Sequence, residues 1–337
     1  MYHKNLEDLI FKRHKQNNAD ELQILGGFIG VYPIEKMSKE NIKTTVIFGC
    51  MQKAALNESY HKKYIQLSEN SNNLKIYYKK TYNHSKIYCW LKNKKVVEII
   101  AGSANFSLSG LSNDHQETLF DIKKEDYKET LDFITDSIKD CELCTDHKFT
   151  PTKKLKVKVK NLNLDKIISI TPPAARLSLR SGTGKFEDSG INVGQKSLTG
   201  SHVNIDDCYV PIRSSVIDEL PELFPNQGIN VKVGTGWGKE GKKLSSNAEF
   251  LFDDGEVMPI SFEQKGPKRE KGYIYKAFRS FRPNSLLGKY LRKRMNIKSG
   301  KPFKASDFER YGRDTIDLSL LGEGQYYADF SVKNKSN

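Results

Sequence analysis

Tyr82-Asn83-His84-Ser85-Lys86-Ile87-Tyr88-Cys89-Trp90, followed by Val96-Val97-Glu98-Ile99-Ile100 and Gly102-Ser103-Ala104-Asn105, is the stretch that decides the fold of the first half of this chain. The first segment alternates like a strand, Lys92 to Lys95 forms a charged turn, and the second apolar run returns as another strand. His84 and Lys86 are two residues apart, so on a strand they project from one face. Gly102-Ser103 ends the return strand, where small residues let backbone and hydroxyl come close to an oxyanion. The imidazole of His84, the ammonium of Lys86, the hydroxyl of Ser103 and the amide of Asn105 together suit a phosphate. The histidine can attack phosphorus or deliver a proton, and the other three can hold non-bridging oxygens.

Around these strands the first half reads as α/β. Leu22 to Tyr32 holds an apolar strand interrupted by glycines, Thr44 to Gly49 is a short buried strand, and Leu74 to Tyr78 and Thr118 to Ile122 are two more. A helix is expected from Gln52 to about Ser68. Another is expected over Glu125 to Cys141, with Tyr127, Leu131, Phe133, Ile134 and Ile138 on its apolar face. Strands covered by helices on both sides describe a three-layer sandwich.

His84-x-Lys86 with Gly102-Ser103-x-Asn105 resembles the HKD motif of the phospholipase D superfamily. The motif's aspartate would fall at Leu91 and is absent, as in several nuclease branches of that superfamily. The resemblance implies that Glu117 orients the catalytic histidine. It also implies metal-free chemistry through a covalent phosphohistidine, with two histidines sharing the work as nucleophile and general acid. This chain has one complete motif. His61-Lys62-Lys63 also spells H-x-K, but no further Gly-Ser-x-Asn follows it, and its lysine-rich surroundings predict a solvated helix face. One motif per chain implies that two chains build one site, as a homodimer.

With 337 residues, the expectation is two domains: a phospholipase D-like nuclease and dimerisation domain over 1–150, a linker over 151–165, and a second domain over 166–337. No apolar run approaches the roughly 18 residues that span a bilayer, and no secretory leader is read at the N-terminus, so a cytoplasmic protein without membrane attachment is expected. The cysteines, Cys50, Cys89, Cys141, Cys144 and Cys208, are too few and odd in number for a disulfide framework. Cys141-x-x-Cys144 with His147 has zinc-like spacing, but no second ligand pair completes it, so these read as incidental cysteines at a helix end and no metal is expected. The net charge of +14 is unevenly spread: residues 1–150 carry 22 Lys and Arg against 20 Asp and Glu, and residues 151–337 carry 33 against 21. A balanced half bearing a phosphodiesterase motif and a basic half suggest that one part cuts while the other holds a polyanion.

The basic half is rich in strands and turns. Ala248 to Phe252 and Val257 to Phe262 flank Asp253-Asp254-Gly255 as a hairpin. Tyr273 to Phe278, Thr315 to Leu321 and Tyr326 to Ser331 are further strands. Asn284-Ser285 is read as the cap of a helix over Leu286 to Met295, and Ser306-Asp307 as the cap of one over Phe308 to Tyr311. The first of these helices is basic, with Lys289, Arg292, Lys293 and Arg294. A face of this kind is either solvated or steers the domain to phosphates.

Ser189-Gly190-Ile191-Asn192-Val193-Gly194-Gln195, Tyr209-Val210-Pro211-Ile212, Asn284 to Arg292 and Asp307 to Arg313 resemble, in order, patches of the NgoFVII family of restriction endonucleases. That resemblance implies a C-terminal DNA-binding pseudobarrel like that of plant B3 transcription factors, with two arms that enter the major groove. The combined reading is a sequence-specific, metal-independent double-stranded DNA endonuclease of a bacterial restriction system, partnered by a cognate methyltransferase and needing no cofactor. His84 would act as nucleophile or acid, Lys86, Ser103 and Asn105 would bind the phosphate, and Glu117 would stabilise the imidazole. For base reading the candidates are Lys185, Asn192, Gln195 and Lys196 on one side and Arg279, Arg282 and Asn284 on the other, residue types that pair with base edges or equally with phosphates. Three alternatives stand beside it. One is a phospholipid enzyme, which would need two motifs or a membrane surface. The second is a catalytically silent DNA-binding protein. The third is a nuclease subunit driven by a separate helicase-like ATPase, since no Walker-type loop occurs here.

Overall fold

The computed structural model describes residues 1–51, 56, 58–112, 117–149, 160–162, 164–170, 172–181, 183–186, 189–195, 203–224, 245–264, 275–322 and 324–332. The chain forms two compact units, Met1–Thr152 with Leu321–Gln325 and Lys153–Leu320 with Tyr326–Asn337.

The first unit runs α1 (Leu6–Gln16), β1 (Glu21–Gly26), α2 (Val31–Met37), β2 (Lys43–Phe48), α3 (Glu58–Glu69), β3 (Leu74–Lys79), β4 (Ile87–Lys92), β5 (Lys95–Gly102), α4 (Leu108–Leu111), β6 (Leu119–Asp121), α5 (Tyr127–Lys139) and β7 (Cys141–Leu143). Among the described residues its strands, seven in all, lie in the order β6-β5-β4-β1-β2-β3-β7. The pairs β1–β2 and β2–β3 are parallel, and the remaining pairs are antiparallel. Alternation along the strands sorts side chains into two faces. Leu25, Ile47, Cys89, Leu91 and Ile99 pack with Ile134 of α5. On the other face Tyr88 meets Phe106, which stacks on Phe11 of α1, and Tyr78 meets Tyr64 of α3. The result is the three-layer sandwich that the alternation predicts. The hairpin between β4 and β5 turns on Asn93 and Lys94, both left-handed (φ 50 and 64), which gives the twist that a two-residue hairpin needs.

Three expectations for the elements of this unit change, and a fourth, at His61, is taken up with the site. The strand bearing the motif begins at Ile87, so His84 and Lys86 precede it in an irregular segment. Helix α5 packs buried Ile134 and half-buried Tyr127, Leu131 and Ile138 on the sheet, but Phe133 is 45% exposed because it lies about 100° round the helix from Ile134. Cys141 lies on β7 and Cys144 just beyond it, with the Cys144 N–H donating to the Ile76 carbonyl, so this is a strand and not a helix end.

The second unit contains β8 (Lys160–Leu162), β9 (Asp165–Ser169), β10 (Ala174–Ser178), β11 (Val210–Pro211), α6 (Ser214–Glu219), β12 (Ser245–Phe252), β13 (Val257–Gln264), β14 (Tyr275–Ser280), α7 (Leu286–Met295), α8 (Ala305–Tyr311), β15 (Thr315–Gly322) and β16 (Gln325–Asp329). Among the described residues, nine strands lie in the order β11-β14-β13-β12-β16-β15-β10-β9-β8. Strands β11 and β10 touch although six places separate them, so the sheet curls. Val210 and Ile167, from near its two edges, share one core with Phe250, Phe262, Phe278, Leu287, Leu291 and Tyr326. This mainly-β curled sheet matches the expected pseudobarrel. The β12–β13 hairpin turns at Gly255 (φ +84), as its Asp-Asp-Gly signal predicts.

The helix caps differ from expectation. Ser285 makes no side-chain cap on α7; Ser280 Oγ accepts from the Leu287 N–H at 3.1 Å instead. Helix α8 begins at Ala305, earlier than predicted, because the Asp307 carboxylate accepts from the Lys304 N–H at 2.9 Å. The predicted linker lies largely outside the described residues. No helix among the described residues is long and apolar enough to cross a membrane.

Candidate active site

Strand directions bring the motif together. Parallel β1 and β2 end side by side, and the Gly49 and Cys50 N–H groups donate to the Gly26 and Gly27 carbonyls, both at 2.8 Å. Strand β4 is antiparallel to β1 and so starts at this edge; β5 is antiparallel to β4 and so ends there. Asn83 is locked to Gly49 through backbone, and its Oδ1 accepts from the Ser85 N–H at 2.8 Å, which shapes the turn that presents His84.

His84 is exposed and Lys86 is buried. The Lys86 Nζ lies 2.9 Å from each ring nitrogen of His84 and donates to the His84 carbonyl at 2.7 Å. Asn105 is buried, and its Oδ1 accepts from the Phe28 N–H at 2.9 Å. Gly27 stands at the centre of this group. A methyl group there would lie 2.9 Å from His84 Cδ2, 3.2 Å from Lys86 Nζ and 3.3 Å from Asn105 Oδ1. His84, Lys86 and Asn105 therefore converge on one small cradle despite their irregular backbone. Gly27 was not singled out from sequence; the Gly26-Gly27 doublet at a strand end was the available signal.

Ser103 is exposed, and its hydroxyl is engaged with the backbone of Thr118, accepting from the N–H at 3.0 Å. Glu117 is half-buried, and its charge acts on Tyr88. Burial first, and Glu117 second, push the Tyr88 hydroxyl far above its ordinary pKa, so it remains a neutral donor to the Ala104 carbonyl at 2.9 Å. Tyr88 thus supports the backbone just before Asn105.

His61 corrects an expectation. It is buried rather than solvated, with Nδ1 3.0 Å from the Tyr78 hydroxyl and its ring stacked on Phe149. Burial, reinforced by His147, lowers its pKa. Its neighbour Lys62 is the exposed member, paired with Glu58. No group of three or more potential metal-ligating side chains occurs among the described residues.

In the second unit the base-reading candidates separate. Arg282 and Lys185 are exposed, Arg282 with its guanidinium 5.1 Å from the Phe281 ring, and Asn284 is half-buried beside it. Asn192 is a correction: it is buried, accepts from the Phe303 N–H at 2.8 Å and donates to the Phe303 carbonyl at 3.0 Å, so its amide is spent on the fold. Gln195 is half-buried, with its amide close to the Arg292 guanidinium and the Gly300 carbonyl. Arg279 forms an ion pair with Glu263 of the neighbouring strand. Lys196 lies outside the described residues. The basic helix α7 also divides, because Arg292 is buried against Asp206 and Arg294 is paired with Asp253 and Asp254, which leaves Lys289 and Lys293 exposed.

A mixed sheet between helical layers, with H-x-K leading into one strand and G-S-x-N closing the next, places the first unit in the phospholipase D-like class of domains. The whole chain can be placed more narrowly. It belongs to the NgoFVII restriction endonuclease family: residues 4–149 match the family's N-terminal PLD domain and residues 167–322 its C-terminal B3-like DNA-binding domain. Among solved structures, the crystal structure of polyphosphate kinase from Porphyromonas gingivalis is similar at a TM-score of 0.28 and 14% identity, over 40% of this chain but only 20% of that chain. NucT from Helicobacter pylori is similar at 0.30 and 15% identity, over 41% of this chain and 91% of that chain. No curated protein matches the chain.

Proposed function

We propose that this protein is a sequence-specific double-stranded DNA endonuclease of a bacterial restriction–modification system, cutting without metal through His84. The observation that carries this reading is the cradle of His84, Lys86 and Asn105 around Gly27, in a chain whose other half belongs to a B3-like DNA-binding domain family. In the reaction His84 attacks phosphorus as the bond to the leaving oxygen breaks, and a second histidine gives that oxygen its proton. Water then cleaves the phosphorus–nitrogen bond and restores the imidazole. Lys86 and Asn105 hold the non-bridging oxygens, Ser103 turns its hydroxyl from Thr118 to the substrate, and Glu117 stabilises the imidazolium. Lys86 Nζ within 2.9 Å of both imidazole nitrogens disfavours a divalent cation at that point.

The second histidine comes from a second copy of the chain, which makes the active form a homodimer. His61 supports this, since its burial against Tyr78 keeps it from serving as the acid in cis. In this scheme the first unit cuts and dimerises, the second reads duplex DNA, and a partner methyltransferase protects the host sequence in the cytoplasm. The test is incubation of pure protein with supercoiled plasmid in excess EDTA. Wild-type protein cuts, while His84→Ala binds DNA but loses roughly three orders of magnitude in rate. Strict magnesium dependence together with an active His84→Ala protein would overturn the assignment. Binding without cutting in wild type would point instead to a subunit that needs a separate motor.

A further inference from the structure

The reactive imidazole must present one ring nitrogen to phosphorus along the attack line, yet His84 is exposed and follows an irregular segment. The final torsion of histidine is broad and roughly two-fold, so the rotamer alone does not fix the ring plane. Lys86 does not fix it either, because its ammonium lies at the same 2.9 Å from both ring nitrogens. Two aromatic rings supply what is missing. Phe28 meets the imidazole edge-on, at 84° and 6.2 Å between centroids. Tyr82 lies parallel to it, at 7° and 6.2 Å. The Tyr82 hydroxyl is hydrogen-bonded to the Cys50 side chain, and Cys50 is in turn anchored by its thiol on the Asn83 carbonyl at 3.3 Å.

We propose that Tyr82 is a positioning residue for His84: its ring, tethered by its hydroxyl to Cys50 at the end of β2, and the edge of Phe28 hold the imidazole plane for attack on phosphorus. The inference rests on the nuclease reading above. A catalytic group has to be held within about 0.5 Å and 10–20° of its productive geometry, and loss of that alignment lowers the rate of the bound complex rather than its formation. At 49% exposure Tyr82 contributes little to the core, so its replacement leaves the domain folded.

The experiment is cleavage kinetics of the full-length chain on a plasmid with a mapped site, with kcat and KM measured separately. Tyr82→Ala is expected to lower kcat about tenfold or more with KM changed less than twofold. Tyr82→Phe, which keeps the ring and loses the tether, is expected to fall between. Cys50→Ala should match Tyr82→Phe, and the double variant should be no worse than either, since both remove one interaction. A wild-type kcat in Tyr82→Ala, or a loss carried by KM alone, would overturn the proposal. His84→Ala separates the two failures: if it cuts like wild type, the nuclease assignment fails, and if it is inert while Tyr82→Ala is fully active, only the positioning role fails.

Discussion

A methyl group on Gly27 would press on His84, Lys86 and Asn105 at 2.9, 3.2 and 3.3 Å, filling the space that the proposed reaction gives to a phosphate oxygen. The atoms it meets are side-chain ends, and Gly27 has no left-handed φ, so Gly27→Ala is expected to leave the melting temperature nearly unchanged. Its cleavage rate should fall at least tenfold, about 1.4 kcal/mol of transition-state binding. Gly102→Ala should behave in the opposite way, because its methyl group would meet the Thr118 carbonyl at 2.1 Å and part β5 from β6. Melting curves beside single-turnover rates distinguish the two, and a destabilised Gly27→Ala would remove the cradle argument. His61 gives a residue-scale pH prediction. Burial lowers its folded pKa, so as pH falls below about 6.5 the unfolded chain takes up a proton that the folded chain refuses. Stability is therefore lost toward acid, and His14, also lowered by burial, acts in the same direction. His61→Gln should flatten the loss of melting temperature between pH 7 and 5; an unchanged slope would contradict it. The motif itself was legible from residue types and spacing. The burial of His61 was not, because H-x-K on a lysine-rich helix gives no sign that Tyr78 and Phe149 wait beneath the histidine.

Among the elements, α7 shows how alike charges part company once a helix is packed. Arg292 makes a 3.2 Å ion pair with Asp206, both nearly inaccessible, and also donates to the carbonyls of Gly288 and Lys301. Arg292→Ala leaves the Asp206 charge buried without its partner and should cost about 3–5 kcal/mol, read by denaturant unfolding. Lys293→Ala, one residue further along and exposed, should change stability by less than about 0.5 kcal/mol while weakening DNA binding on every sequence alike. Equal effects of the two would mean that the helix is not seated as described. From sequence the four basic residues of α7 were equivalent, since the carboxylates that claim Arg292 and Arg294 come from distant segments, at Asp206 and at Asp253 and Asp254. Hairpins were the most legible elements, because Asn93-Lys94 and Gly255 carry their turn geometry locally. Helix α1 was hidden: its inner face is Leu6, Ile10, Phe11 and His14, and a buried histidine among lysines and arginines does not read as core. Strands β8 to β10 are not legible because each is only three to five residues long; β8 and β9 pair with their sequence neighbours, and only β10 is also held by a remote strand, β15.

On the scale of the whole molecule, charge and chemistry fall on different halves, and each half has a core of its own. The excess of 33 over 21 charges lies after residue 150, while the cradle lies before it. Mixing experiments test the shared site: adding inert His84→Ala chains to wild type should depress activity more than simple dilution, since a mixed pair lacks one histidine. A strictly proportional response would mean that each chain cuts alone. Division of labour has a separate test. A fragment covering residues 161–337 should bind duplex DNA with affinity that falls as salt rises, because lysines and arginines displace condensed counterions. Sequence preference should reside in the same fragment and depend on few side chains. Among the described candidates Arg282 and Lys185 are exposed, and arginine is the type that pairs bidentately with guanine, so Arg282→Ala should cost about 1–3 kcal/mol on the recognised site and little on random DNA. Asn192→Ala should instead unfold the segment that it pegs to Phe303, losing binding to all sequences together with thermal stability. Competition binding of this fragment against residues 1–150 decides the matter: if the N-terminal piece holds the preference and the basic piece binds nothing, reading and cutting are not divided between the halves.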